Sequence, residues 1–228
     1  MNTNMTKEGY TMATQTNAKE TPGFAYFNDT IRDGLKGSVF DDKDKGYASG
    51  KSDMEETLIR CFLGADTWCP APAQTINYAS FHDNLTLFDH LQTARPEADR
   101  ADLVKMNNLA AAFYMMAEGV PFLQAGEEML RTKVNDDGTF NSNSYNSGDQ
   151  VNSLKWGDLE DPVYAQVYEY YKGLIAFRKA HGALRLTTAQ EVASAVTSVD
   201  GLEPNVMAFD IKGGVNGETA EELFVIFN

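Results

Sequence analysis

Three consecutive residues, His82, Asp83 and Asn84, close an apolar run in the segment NYASFHDNLTLFDHL, residues 77–91. The chain holds only 3 histidines, and this one stands beside a carboxylate where a buried strand should stop. An imidazole next to a carboxylate can hydrogen-bond the hydroxyls of a polar substrate. A carboxylate at close range also stabilises positive charge that develops during a reaction. Glycoside hydrolysis needs that service, because its transition state resembles an oxocarbenium ion. The same residues can also be read as a helix cap plus a satisfied histidine. Asn84 as the cap of a helix opening at Leu85 would leave His82 and Asp83 free for chemistry. Two further apolar runs end in polar groups, at Asn28-Asp29 and at Gln124 through Glu128. Asp29 is read either as a helix cap or as a site residue. Glu127 and Glu128 are read as buried partners of Arg131 or Lys133.

Other chemistries find less support. A His-Asp pair makes no hydrolytic triad without a placed nucleophile, and none stands nearby. His82, His90 and His181 have no ligand spacing, so no metal site and no cofactor is expected. Cys61 and Cys69 fit no common metal motif and read as two buried thiols. The net charge of −14 argues against nucleic acid or an anionic lipid surface as partner, while a neutral sugar is compatible with it. No apolar run approaches the roughly 18 residues of a membrane helix. The opening segment MNTNMTKEGYTMATQTNAKETPG has neither the basic nor the apolar region of a signal peptide, and location stays open. Amide and hydroxyl side chains crowd TFNSNSYNSGDQVNSLKW, residues 139–156. Such groups match sugar hydroxyls, and Tyr145 or Trp156 offers a ring face for stacking.

The elements that must position these residues follow from periodicity. GFAYFND (23–29), TINYAS (75–80) and VPFLQAG (120–126) read as buried strands. Between them lie helical patterns at 30–37, 53–64, 85–94 and 97–119. In the last, Leu103, Met106, Leu109, Phe113 and Met116 share one face, and Gly119 suits the position after its end. Residues 131–160 read as a long polar loop. Asp161 with Pro162 behind it starts another helix, whose apolar face is Val163, Val167, Tyr171, Leu174 and Ile175. The tail changes character: VTSVD, VMAFDIK and ELFVIFN are strand-like, and the last is expected to lack a partner. Alternating strands and helices argue for a parallel sheet with crossover helices, followed by a separate small β domain. In an α/β barrel the carboxyl ends of the strands line the site, which is where the polar groups fall here.

Four of these segments carry a family resemblance. YASFHDN resembles the fourth conserved region of the α-amylase superfamily, glycoside hydrolase family 13, which places a His-Asp pair at the end of barrel strand seven. GVPFLQAGEE resembles the strand-eight region, and FAYFNDTIRDGLKG resembles strand six of the debranching members. The segment GEEMLRTKVNDDGTFNSNSYNSGDQVNSLKW, 126–156, is similar to that of the type I pullulanases. The four occur in the family's order over about residues 23–185. The resemblance implies an α/β fold comprising the last three β/α units, strands six to eight, of a TIM (β/α)8 barrel, followed by part of a small all-β sandwich domain. The expected division is 1–22 as a polar segment, 23–185 as barrel and 186–228 as the β domain.

It also implies retaining hydrolysis of α-1,6 branch linkages in pullulan, amylopectin and limit dextrins. Asp83 would be the transition-state stabiliser and His82 a hydrogen-bond donor to the sugar. Asn84, Tyr145 and Asn146 would contact substrate. An α-glucan would be the partner. Calcium, which some relatives bind, has no support in these residues. The family's nucleophilic aspartate and general-acid glutamate end strands four and five, and no segment here matches either. Glu8, in TKEGYTM, follows no apolar strand and is set aside as the acid. The chain is therefore expected to be inactive alone and to self-associate through exposed barrel edges. An isoamylase-like family-13 enzyme and a non-catalytic α-glucan-binding remnant are the alternative readings.

Overall fold

The computed structural model describes residues 12–65 and 67–228; Glu8 lies outside them. Strands β1 (Tyr26–Phe27), β2 (Thr75–Asn77) and β3 (Val120–Pro121) form one parallel sheet in that order. Tyr26 pairs with Thr75, and Ile76 with Val120. Each strand is shorter than its apolar run. Asn28 turns out of β1 and accepts from the amide of Ile31 at 3.2 Å, so it caps helix α1 (Asp29–Lys36). The cap expected at Asp29 is thus one residue earlier. The bonding to β2 runs one residue past β3, since the amide of Phe122 donates to the carbonyl of Asn77 at 2.8 Å.

Helix α1 ends at Gly37, whose φ of 109° is open to glycine and whose missing side chain lets the carbonyl of Asp44 approach. Helices α2 (Glu55–Phe62), α3 (Leu87–Ala94) and α4 (Arg100–Met116) follow. The long helix α4 is capped by Asp99, and its second half is buried from Phe113 to Met116, as its continuous apolar pattern requires. The polar stretch 131–160 is not structureless. A bridge joins Val134 to Phe140, and a short helix α5 (Asp149–Asn152) precedes a 3-10 turn at Trp156–Glu160. Asp161 then caps α6 (Pro162–Ala180) through the amide of Val163. Val167 and Tyr171 of its face are buried, while Ile175 stays exposed.

The tail carries a helix the apolar pattern missed, α7 (Ala189–Ala195), closed by a capping box between Thr188 and Glu191. Strands β4 (Val196–Ser198), β5 (Met207–Lys212) and β6 (Glu222–Phe227) form an antiparallel sheet in that order. The final strand has a partner after all: β6 pairs with β5 from Met207↔Phe227 to Lys212↔Glu222. The helices and the antiparallel sheet share one continuous core. Phe62 of α2 stacks on Phe209 of β5 with ring centres 3.6 Å apart, and its ring edge meets Phe113 and Phe227. Cys61 and Cys69 are both buried and not bridged to each other.

Candidate active site

A parallel sheet sends the carboxyl ends of all its strands to one side. The residues after β1, β2 and β3 therefore share an edge, and the middle strand leads into Phe81, His82, Asp83 and Asn84. The side chains of His82 and Asp83 are 81% and 59% exposed, with Nε2 and Oδ2 3.6 Å apart. Asn84 takes the left-handed conformation, φ 61°, so the chain cannot continue straight into a helix. The cap of α3 is consequently Thr86, which accepts from the amide of Asp89 at 3.1 Å, and not Asn84.

Below this corner the structure is densely tied. Ser80 donates to the buried carboxylate of Glu127 at 2.7 Å. Tyr114 of α4 and Tyr171 of α6 donate to the other oxygen of Glu127 at 2.7 and 3.0 Å. Burial pushes the Glu127 carboxyl up, and the three hydroxyls oppose that. Glu127 is thus structural as expected, but its partners are hydroxyls, not Arg131 or Lys133. Glu128 accepts from the amide of Gly126, and Arg131 binds the carbonyls of Ala125 and Asn152.

Lys133 is buried and donates from Nζ to the carbonyl of His82 at 2.7 Å. Lys36, fully buried in α1, reaches the carbonyl of Leu85 at 3.3 Å. Burial is the main cause that pulls Lys36 down to about 8, with Arg32 adding to it, while Lys133 is lowered by burial and by Arg131. The carboxylate of Asp89 accepts from the backbone amide of Lys133 at 2.9 Å, and burial raises its pKa to about 6. The sequence pattern singles out Lys133 only as a partner of Glu127 or Glu128, and Lys36 not at all, since the carbonyls they reach are distant in the chain from both.

Asp29 accepts from the Tyr78 hydroxyl at 2.6 Å and pairs with Arg32 at 3.1 Å. It is therefore anchored to β2 rather than free. Around it Phe27, Tyr78, Phe81 and Phe122 make edge and stacked contacts that floor this end of the sheet. His90 and His181 serve packing: His90 bonds the Asp44 carbonyl, and His181 pairs with Glu218.

The loop with Tyr145 and Asn146 is wired to the same corner. Asn141 donates its amide to the Lys133 carbonyl at 2.7 Å, and its side chain bonds Asn135 and Ser147. Ser144 and Ser147 close a turn at 2.9 Å whose two central residues are Tyr145 and Asn146. Tyr145 is 80% exposed at that tip. Beside it Asn135, Asp136, Asp137, Ser147 and Gln150 line a polar hollow of about 480 Å³. The structure thus brings His82, Asp83 and Asn84 together on one corner, with Tyr145 and Asn146 on a neighbouring turn. Among the described residues no group of three or more His, Cys, Asp or Glu side chains is placed to hold a metal ion. No described helix is long and apolar enough to cross a membrane.

Comparisons with known proteins agree with this geometry. No protein-family model matches the chain. A pullulanase from Bacillus subtilis is 36% identical over 182 residues, covering 77% of this chain and 24% of the relative. An isoamylase from a Flavobacterium species is 25% identical over 252 residues, covering 90% of this chain and 31% of the relative. A crystal structure of a pullulanase variant from Paenibacillus barengoltzii, complexed with maltotetraose, superposes with a TM-score of 0.87 at 34% identity. It covers 95% of this chain and 33% of that one. The chain therefore spans about a quarter of the length of the curated pullulanase it matches.

Proposed function

By sequence and fold this chain is a relative of the pullulanases of the α-amylase superfamily, and on that premise we propose that it supplies one wall of an active site that hydrolyses α-1,6 branch linkages in α-glucans. In this reading residues 23–185 are strand–helix units six to eight of a (β/α)8 barrel, and 186–228 begin the C-terminal β domain. The observation that carries it is the His82–Asp83 pair. It stands exposed above an aromatic floor at the carboxyl end of the middle parallel strand, in a segment that resembles the family's His-Asp motif.

Asp83 carries the charge-stabilising role. Its carboxylate faces solvent beside an imidazole, so a sugar entering there meets an acceptor and a donor together. As positive charge grows on the anomeric carbon, a carboxylate already in place stabilises it without reorganising. His82 bonds hydroxyls of the same sugar. Asn84 turns the backbone, and Tyr145 and Asn146 contact sugar units further along. One carboxylate of this kind does not complete a retaining reaction, which takes a nucleophile and a general acid about 5 Å apart. The chain alone is therefore a glucan-binding wall without turnover. The match to an isoamylase over 90% of the chain supports a debranching reaction more broadly than it selects one glucan.

The test is to titrate the purified chain with maltotetraose, following His82 and Asp83 by NMR, and to assay reducing-sugar release from pullulan. Saturable shifts at the pair, no release, and loss of the shifts in Asp83→Ala are expected. Maltotriose released by the parent chain and lost in Asp83→Ala would show that both missing carboxylates are present after all. A chain that binds no maltooligosaccharide would remove the reading.

A further inference from the structure

Two buried ammonium groups end on the backbone of the site rather than on carboxylates. Lys36 arrives from α1 at the carbonyl of Leu85, and Lys133 arrives from the segment after Glu127 at the carbonyl of His82. Among the described residues neither ammonium has a carboxylate oxygen within ion-pair distance. Burying a charge without a counter-ion is expensive, and a methionine would fill the same volume without that cost. The position of these charges is therefore informative. The two carbonyls they hold flank Asp83 and Asn84, and Asn84 lies at φ 61°. A non-glycine residue held there is in a sparsely populated conformation that its surroundings must over-determine.

The ties act from both sides of that kink. Ser80, two residues before His82, is held by Glu127. Lys133 grips the carbonyl just before Asp83, and Lys36 the one just after Asn84. With residues 80, 82 and 85 fixed, Asn84 has no freedom to relax to extended backbone, and the exposed side chains of His82 and Asp83 inherit a fixed base. Lys133 also places positive charge near Asp83.

We infer that Lys36 and Lys133 are positioning residues for the His82–Asp83 corner: they hold the left-handed turn at Asn84 and so set the direction of the pair toward a sugar. The inference rests on the glucan reading above only for its affinity consequence; the backbone consequence stands apart from it.

The experiment uses Lys36→Met, Lys133→Met and the double variant in the full chain. Three quantities are read: the carbon shifts of Asn84 that mark positive φ, amide hydrogen exchange along 82–86, and maltotetraose affinity. The double variant should lose the positive-φ shifts. It should exchange about tenfold faster at Asp83 to Leu85, with α4 and α6 still protected. Its maltotetraose affinity should fall about tenfold, equivalent to about 1.4 kcal/mol. Lysines that merely fill space would leave the Asn84 shifts, the local exchange and the affinity as in the parent, and that result overturns the inference. Should the methionine variants fail to fold, the Lys36→Gln and Lys133→Gln variants are judged by the same Asn84 shifts. If the parent chain binds no maltotetraose, the glucan reading fails while the shift and exchange results still decide the role of the lysines.

Discussion

Glu118 shows how a buried group can make stability depend on pH. It has no exposure; one oxygen accepts from the amide of Leu186 at 2.8 Å, and the other has no partner. Burial raises its pKa to about 8, against the opposing pull of that amide and of Arg178. The guanidinium of Arg178 is spent largely on the carbonyls of Met115, Ala117 and Gly119. The folded pKa lies above the unfolded one, so the native state keeps a proton that the unfolded chain releases. The stabilisation is therefore complete below the ordinary glutamate range and is lost as pH rises through about 8. Asp89 acts in the same sense, losing its contribution as pH rises through about 6. Lys36 acts elsewhere: unfolding gains a proton between about 8 and the ordinary lysine pKa, so its burial cost fades as pH climbs there. The melting temperature should fall from pH 5 to pH 8, and Glu118→Gln should make that slope shallower, with Glu127 and Asp89 supplying the remainder. A calorimetric series with an unchanged slope in the variant would refute this assignment.

Helix ends and one aromatic stack decide how the elements hold together. Asp161 accepts from the amide of Val163 at 2.8 Å, ahead of a proline at the first helical position. Asp161→Ala should lower stability in urea by about 1 kcal/mol, the usual worth of such a cap, and also frees Arg100 from its ion pair. Phe62 is the larger case. It lies in α2 yet packs on Phe209 and Phe227 of the antiparallel sheet. Phe62→Ala should cost about 3–5 kcal/mol in a single cooperative urea transition, because the cavity opens in a core shared by the helices and the antiparallel sheet. A two-step transition with only the tail loosened would show the tail to fold independently of the helices. At this scale capping was legible in part: Asp161 reads as a cap in the sequence, while Asp99 and the Thr188–Glu191 box do not, and the caps expected at Asn84 and Asp29 fall at Thr86 and Asn28. Strand lengths were not, because a buried apolar run looks the same whether or not its backbone is paired.

Among the described residues no further strand pairs with the parallel sheet outside β1 or β3. Outside β1, Phe24 is 58% exposed and Phe27 lines a hollow of about 630 Å³. Outside β3, Val120 is 46% exposed, and Leu123, Tyr168 and Ile175 border a second hollow. Parallel sheets are ordinarily covered on both faces, and an uncovered strand edge is a template for pairing with another chain. The chain should therefore self-associate as concentration rises. Sedimentation velocity should show larger species that Phe27→Lys or Val120→Lys reduces. A monomer at every concentration would remove this expectation.

The sequence alone determined the local decisions. The apolar runs, the helix caps and the motif YASFHDN were enough to place His82 and Asp83 after a strand and to indicate the family, because each depends on neighbours in the chain. Tertiary structure decided what lies beneath them. Glu127 finds Ser80, Tyr114 and Tyr171, and Lys36 finds Leu85, across separations that no periodicity encodes. The cap shifted from Asn84 to Thr86 for the same reason: the backbone at Asn84 is set by groups from α1 and from the segment after Glu127, not by its own neighbours. A buried charge is positioned by what the folded core leaves for it to bond, and that becomes definite only once the elements have packed.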